Sequence, residues 1–340
     1  MASASFDKDD FDKELLAGFQ VVHAEGLLRT NLAAVEQRAL QGDHALFALY
    51  IDGHFKKKRP ASLAAEQRNL VKRPVDPSHF NFTKASDKEC LGILSINTFE
   101  VTILACLSPL ATGHVLFVPQ IQELLPQSLT TELVLLSYRL LQRTRRSDFR
   151  ILYNSLSGHA TVNHFHVHGF YCEEAKLPQG RLPIELSARK LIARLESAKV
   201  EVHLLTSDAW FVPGYVISWE GSQSNACSTW AEVVGYIVEE LQKQNSAHNV
   251  MFLGFGAYIE AYVLPREAET KVDENAGLNT GTLECCGVIL PHSREGFNSL
   301  SEEEVWSFFR RYVAMPADFF HGVDHRIQAI LAEFAGRSKG

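Results

Sequence analysis

The sequence predicts an α+β fold of two related halves, each an antiparallel sheet packed by helices, and three observations predict it. Short β-branched and aromatic runs separated by turn residues occupy Gly92 to Pro119 and return from Val202 to Trp219. Each group is followed by a segment with apolar residues at helical spacing and then by a pair of strand-like runs. No short-period repeat or low-complexity tract appears, which argues against a solenoid. A chain of 340 residues is long enough for two domains of usual size, and the expected division is 1–190 and 191–340.

In chain order, residues 1 to about 43 read as amphipathic helix. ALFALYI (Ala45 to Ile51) reads as a strand ending at Asp52-Gly53, and HFKKKRP as a basic loop closed by Pro60. Gly92 to Pro119 is an antiparallel meander interrupted by SPLATGH. Leu129, Leu133, Leu136 and Leu140 then mark a helix, with Arg143, Arg145 and Arg146 near the negative pole of its dipole. FRILYN (Phe149 to Asn154) is a strand, SLSGHAT a polar loop, and NHFHVHGFY (Asn163 to Tyr171) a second strand. Leu177 to Lys199 connects the halves.

In the second half, Thr229 and Glu232 form an expected capping box before Trp230, Val233, Val234, Ile237 and Leu241. NVMFLGFGAYIEAYVLPRE reads as a hairpin and Leu283 to Leu290 as a strand. A final helix opens at Ser301 and Glu304, with Leu300 and Val305 as its hydrophobic staple.

Apolar residues make up 46% and charged residues 21%, as in ordinary globular proteins. A net charge of -7 argues against general nucleic-acid binding, which needs a broad excess of cations, but leaves room for a small phosphate-bearing ligand. The six cysteines lack C-x-x-C spacing, so neither a zinc cluster nor a disulfide framework is expected. The first residues are acidic rather than basic and apolar, and no stretch is apolar over a bilayer's width. A cytoplasmic protein with no membrane partner is expected.

His164, His166 and His168 alternate along one stretch, so in a strand their rings share a face. Three chemistries compete for them. Imidazoles bind zinc or copper, which would make this a metal-binding protein. Histidines can also be satisfied in a core, although three in a row would each need buried partners. Finally, a neutral imidazole is a nucleophile toward phosphorus near pH 7, its neighbours fixing its tautomer and donating to phosphate oxygens.

GHVLFVP (Gly113 to Pro119), followed by a helix, a strand, a small-residue loop and His-Phe-His-Val-His, resembles the histidine-triad superfamily of nucleotide hydrolases and transferases. FNFTK (Phe80 to Lys84), SPLATGHVLFVP (Ser108 to Pro119), LPQ (Leu125 to Gln127) and NSLSGHATVNHFHVHGFY (Asn154 to Tyr171), in that order, are similar to the GDP-D-glucose phosphorylases of animals, relatives of the plant GDP-L-galactose phosphorylases. LPRE near Leu264 and GLNTGTLECCGVIL extend the likeness over most of the chain. Ser157 stands where that family is expected to carry glycine, and the third histidine, His168, points to the animal branch.

The resemblance implies two histidine-triad-like halves, the second without the triad. It also implies an enzyme that passes GMP from GDP-glucose to inorganic phosphate, giving GDP and glucose 1-phosphate and so removing GDP-glucose formed in error. It places the nucleophile at His166. His164 and His168 suit phosphate neutralisation, and Asn154, Ser157 and Thr161 suit donation to phosphate oxygens, turn chemistry being their ordinary alternative. Lys84, Arg59 and Arg266 are candidate cations for the diphosphate or incoming phosphate, each equally readable as a surface charge. His114 is read as structural, and guanine is expected to meet a carboxylate or backbone carbonyl at its amino and ring N–H groups, with no residue assigned. No metal or other cofactor is required. The partners expected are a GDP-sugar and phosphate, with a homo-oligomer left open. A hydrolase of the same superfamily, water replacing phosphate, and a metal-binding protein remain as alternatives.

Overall fold

The computed structural model describes Phe6 and residues 10–57, 70–221, 224–269 and 277–337. Helix α1 (Phe11–Ala24), strands β1 (Glu36–Ala39) and β2 (Phe47–Tyr50) and the single turn α2 (His54–Lys57) precede the main sheet. The first half of that sheet comprises β3 (Cys90–Ile96), β4 (Phe99–Ala105), β5 (Val115–Pro119), helix α3 (Thr131–Leu141), β6 (Phe149–Asn154) and β7 (Val167–Tyr171). The second half repeats the series with β8 (Lys190–Leu195), β9 (Val200–Leu205), β10 (Gly214–Glu220), α4 (Ser224–Lys243), β11 (Ala247–Phe255) and β12 (Tyr258–Arg266). Then come α5 (Thr282–Cys285), β13 (Val288–Ile289), α6 (Arg294–Ser299), α7 (Glu302–Tyr312) and α8 (Ala317–Arg337).

The ten strands form one antiparallel sheet in the order β3-β4-β5-β7-β6-β11-β12-β10-β9-β8. The order is symmetric about the β6–β11 pair, whose register sets Asn249 opposite Asn154 and Leu253 opposite Arg150. One face packs on α1, α3, α4 and α8, and buries Phe19, Leu140, Trp230 and Ile327. The other face carries a small sheet, β1-β2-β13, with α5 to α7. Helix α3 shows why the local code works: Thr130 caps its N-terminus by accepting from the Leu133 amide, while Leu133, Leu136 and Leu140 are buried at helical spacing.

Four local expectations change. The first helix stops at Ala24, Gly26 taking a φ of 71, and Glu36 to Ala39 leave helix to pair with β2. Tertiary pairing overrides a helical pattern there. The basic loop begins as the turn α2, and its residues from Lys58 lie outside the described residues. Helix α4 starts at Ser224, so Thr229 lies inside it and cannot cap it. The stretch from Leu283 to Leu290 is mostly a helical turn, with only Val288 and Ile289 in a strand. The capping box of Ser301 and Glu304 forms as the spacing predicts, above buried Leu300 and Val305.

Candidate active site

A cavity opens on the sheet face opposite α3, crossing β4, β5, β7 and β6 in that spatial order. Its floor comes from strand register: Leu116 and Leu152 flank His168 on the neighbouring strands, so the three side chains share a face. The segment 82–89 walls one side and the segment 279–290 the other.

His166 lies in the middle, 6% exposed, and lines the cavity. Its Nδ1 is 2.9 Å from its neighbour's carbonyl, His164 O. A carbonyl only accepts, so Nδ1 carries the proton and Nε2 keeps a free lone pair. Gln127, fully buried, brackets the backbone: its Oε1 accepts from the His166 amide at 2.8 Å, and its Nε2 donates to His166 O at 3.0 Å and Asn154 O at 2.9 Å. Burial pushes the His166 imidazole down to about 4, so it is neutral and nucleophilic at pH 7.

The other two imidazoles differ from the expected single row. Regular strand begins only at Val167, and His164 lies behind the cavity wall, fully buried. Its Nδ1 accepts from the Phe82 amide at 3.1 Å, which ties the FNFTK segment to the triad, and burial lowers it to about 4. Phe82 meets the His166 ring nearly edge-on, with centroids 4.9 Å apart. His168 faces the cavity. Its Nδ1 is 2.9 Å from His114 Nε2, and His114 Nδ1 accepts from the Leu110 amide at 3.2 Å. That amide forces the His114 proton onto Nε2, which donates to His168 Nδ1, so that a neutral His168 carries its own proton on Nε2. His114, read from the sequence as structural, thus lines the site and sets its neighbour's tautomer.

Cys106, His114 and His168 place one potential ligand atom each within 4.8 Å of one another. The donor set fits a metal poorly. Coordination through His114 Nε2 would move its proton to Nδ1, where it would oppose the Leu110 N–H.

The loop after β6 is held by the second half. Ser155 Oγ accepts from the His248 amide at 3.0 Å, and Asn249 Nδ2 donates to Gly158 O at 2.7 Å. A Cβ on Gly158 would fall 2.7 Å from His248 O, so the glycine that this close approach requires sits at 158, next to Ser157. Asn154 and Thr161 line the cavity, and Asn154 Oδ1 accepts from Thr282 N at 2.9 Å and Asn249 Nδ2 at 2.7 Å. Ser157 is buried in the turn and is not among the cavity's lining residues.

Two of the three expected cations are elsewhere. Lys84 Nζ donates to the carbonyls of Pro77, Ser78 and His79 at 2.7, 3.1 and 2.7 Å. Arg266 is fully buried and donates to Thr280 O and to Asn249 Oδ1 at 3.3 Å, bracing the segment that walls the cavity. Arg59 lies outside the described residues. Among the described residues Arg29 is the one Lys or Arg lining the cavity, placed there by its amide's bond to Leu107 O at 2.7 Å. No motif marks it. Two carboxylates, Glu89 and Glu284, also line the cavity at opposite sides.

With this geometry in hand, comparison with known proteins is specific. Residues 10–170 match the protein-family model described as GDPGP1-like, N-terminal domain, and residues 184–334 that described as GDPGP1-like, C-terminal domain. The chain is 27% identical over 318 residues to GDP-D-glucose phosphorylase 1 of Danio rerio, covering 89% of this chain and 86% of that one. It is 26% identical over 308 residues to GDP-L-galactose phosphorylase 2 of Arabidopsis thaliana, covering 83% and 67%. Among solved structures, the yeast Ap4A phosphorylase Apa2 in complex with AMP superposes with a TM-score of 0.58 at 15% identity, covering 90% of this chain and 98% of that one. That likeness establishes the fold alone.

Proposed function

The chain belongs to the GDPGP1-like family, and from that premise we propose that it is a GDP-hexose phosphorylase whose hexose is D-glucose. The supporting observation is the state of His166: neutral, its Nδ1 proton held by His164 O, and its Nε2 lone pair open to the cavity. Relatives named for GDP-D-glucose, and His168 as the third histidine, support the choice of sugar.

The reaction runs in two displacements. His166 Nε2 attacks the α-phosphorus of GDP-glucose, forming a P–N bond while the bond to the bridging oxygen breaks and its electrons leave with glucose 1-phosphate. An oxygen of inorganic phosphate then attacks the same phosphorus, the P–N pair returns to Nε2, and GDP departs. Each leaving group is a stabilised anion or a ring nitrogen, so positioning and charge neutralisation do the catalytic work. Gln127 fixes the nucleophile's backbone, and the Nε2–H of His168 donates to a non-bridging oxygen. The Asn154 amide nitrogen and Thr161 are further donors, and Arg29 is the cation for the outer phosphate. Lys84 and Arg266, engaged with backbone carbonyls, act on the walls of the site rather than on substrate.

The same proposal puts the division of the two halves at residues 190 and 191, next to the start of β8 at Lys190. Residence in the cytoplasm is part of the same proposal. No helix among the described residues is long and apolar enough to cross a membrane.

The test is mass spectrometry of enzyme mixed with GDP-glucose in phosphate-free buffer. A GMP adduct on His166 that phosphate converts to GDP is expected. Release of GMP regardless of phosphate would make the protein a hydrolase, and absence of any adduct would remove His166 as nucleophile.

A further inference from the structure

The cavity has two chemically different ends. Toward β4 and β5 it offers an apolar surface of Phe82, Leu104, Leu116 and Val162, with Glu89, Cys106 and Arg29 on the same side. Beyond β6 it is polar. There Glu284 is 2% exposed, and its Oε1 accepts from Asn279 Nδ2 at 2.6 Å. Its Oε2 borders a notch made by the absent side chain of Gly281. A Cβ at that position would lie 3.0 Å from Glu284 Oε2, 3.1 Å from His159 Cδ2 and 3.5 Å from Asn154 Oδ1. Sheet order puts β7, with His166 immediately before its first residue, between the two ends.

A carboxylate so far removed from water is costly unless something donates to it. Here one oxygen has a side-chain partner, and the other lies 3.0 Å from where a Gly281 Cβ would stand, both residues lining the cavity. Of the four parts of a GDP-hexose, the base, the ribose, the diphosphate and the hexose, the phosphates are excluded by like charge. The base, a flat apolar ring system with a polar edge, matches the Phe82 end. The ribose hydroxyls stay with the base on its side of the scissile bond, which leaves the hexose hydroxyls to reach the far end, and O–H to carboxylate bonds are strong.

We propose that Glu284 and Asn279, with the notch over Gly281, form the hexose subsite and determine sugar specificity. This rests on the proposed phosphorylase reaction and assigns a role to residues of the second half. The guanine ring then occupies the Phe82 end, and the scissile bond lies above His166 between them.

The test separates the two half-reactions. Exchange of labelled inorganic phosphate into GDP needs only the guanylylated enzyme and phosphate, with no sugar present. Glu284→Gln and Asn279→Ala are expected to lower kcat/KM for GDP-glucose roughly 10- to 100-fold, chiefly through KM, the scale of a lost hydrogen bond to a charged group. They should narrow the preference for GDP-glucose over GDP-mannose and leave phosphate–GDP exchange within about twofold. A parallel fall in exchange and sugar turnover would mean a structural role, and unchanged sugar kinetics would place the hexose elsewhere; either overturns the subsite. Absence of exchange in the unaltered enzyme would instead overturn the phosphorylase reading on which the subsite rests.

Discussion

In the second half β11 turns into β12 through residues 256 and 257 alone, whereas in the first half β6 reaches β7 only after residues 155–166. Strand order, helix placement and register otherwise correspond across the β6–β11 seam. The proposed chemistry therefore resides in one lengthened hairpin connection, which ends at His166. The half with the short turn serves as scaffold: His248 and Asn249 tie down the long loop, and Thr282 and Glu284 wall the cavity.

Two histidines sharpen the contrast. His248 donates from Nδ1 to Ser246 O at 2.9 Å, two residues back, as His166 does to His164 O. Burial lowers both to about 4. Yet His248 is sealed in the core with its Nε2 unpartnered, while His166 opens on the cavity. A locked tautomer makes a nucleophile only where substrate can reach the other nitrogen.

The largest expected effect breaks that pair apart. His166→Ala should lower phosphorolysis of GDP-glucose by several orders of magnitude, as loss of a covalent nucleophile does, with little change in melting temperature. His248→Ala should do the reverse, destabilising the fold by about 2–4 kcal/mol through an internal void while leaving the chemical step largely intact. Comparable activity losses in the two variants would erase the distinction.

Next comes Gln127, whose side chain brackets the His166 backbone, where on the His248 side Ser155 accepts from the amide with its Oγ and donates to the carbonyl from its own backbone N–H. Gln127→Ala leaves the His166 amide and two carbonyls without their partner. A fall in kcat of about 10- to 100-fold with KM nearly constant is expected, since the residue aims the nucleophile without touching substrate. A KM effect alone would show contact with ligand instead.

Acid titration gives a smaller effect shared by both halves. The folded-state values of His164, His166 and His248 lie near 4, below the ordinary 6.5, so the unfolded chain binds more protons between those limits. Stability from keeping these rings neutral is complete above pH 6.5 and is lost as pH falls toward 4, by on the order of 3 kcal/mol per ring at most. Urea midpoints measured across that window check the direction. In the same range kcat/KM should stay flat down to about pH 5, because it reports the free enzyme's His166. An acid limb at 6.5 would contradict the buried, neutral nucleophile.

The smallest effect belongs to the short turn. Gly256 has a φ of 62 with open space around it, so Gly256→Ala should cost about 1 kcal/mol and leave activity alone. Any change in turnover would mean that the second hairpin communicates with the site.

Much of this was legible locally. The meander, α3, both hairpins and the α7 capping box each depend on residues within a few positions of one another, so periodicity and turn chemistry reveal them. Strand β1 escaped because its pairing with β2 decides its conformation, and the start of α4 escaped because the spacing of Thr229 and Glu232 imitates a cap inside a continuous helix. Two of the expected cations lie away from the cavity for a similar reason. Lys84 and Arg266 lie beside telling motifs yet bond to backbone carbonyls, while Arg29, beside none, reaches the cavity through a single amide bond to Leu107.

The sequence by itself determined the α+β architecture, the helix and strand pattern, and the alternating histidines from which His166 was singled out by family likeness, because these are written in spacings of two to four residues. Only the tertiary structure decided which imidazole is open, which proton each ring holds and which carboxylate faces the polar end of the cavity. Those properties depend on burial and on partners such as Leu110, Phe82, Gln127 and Asn279, brought to the site from separate segments of the chain. Hydrogen-bond direction and desolvation act through space, where spacing along the chain carries no record of them.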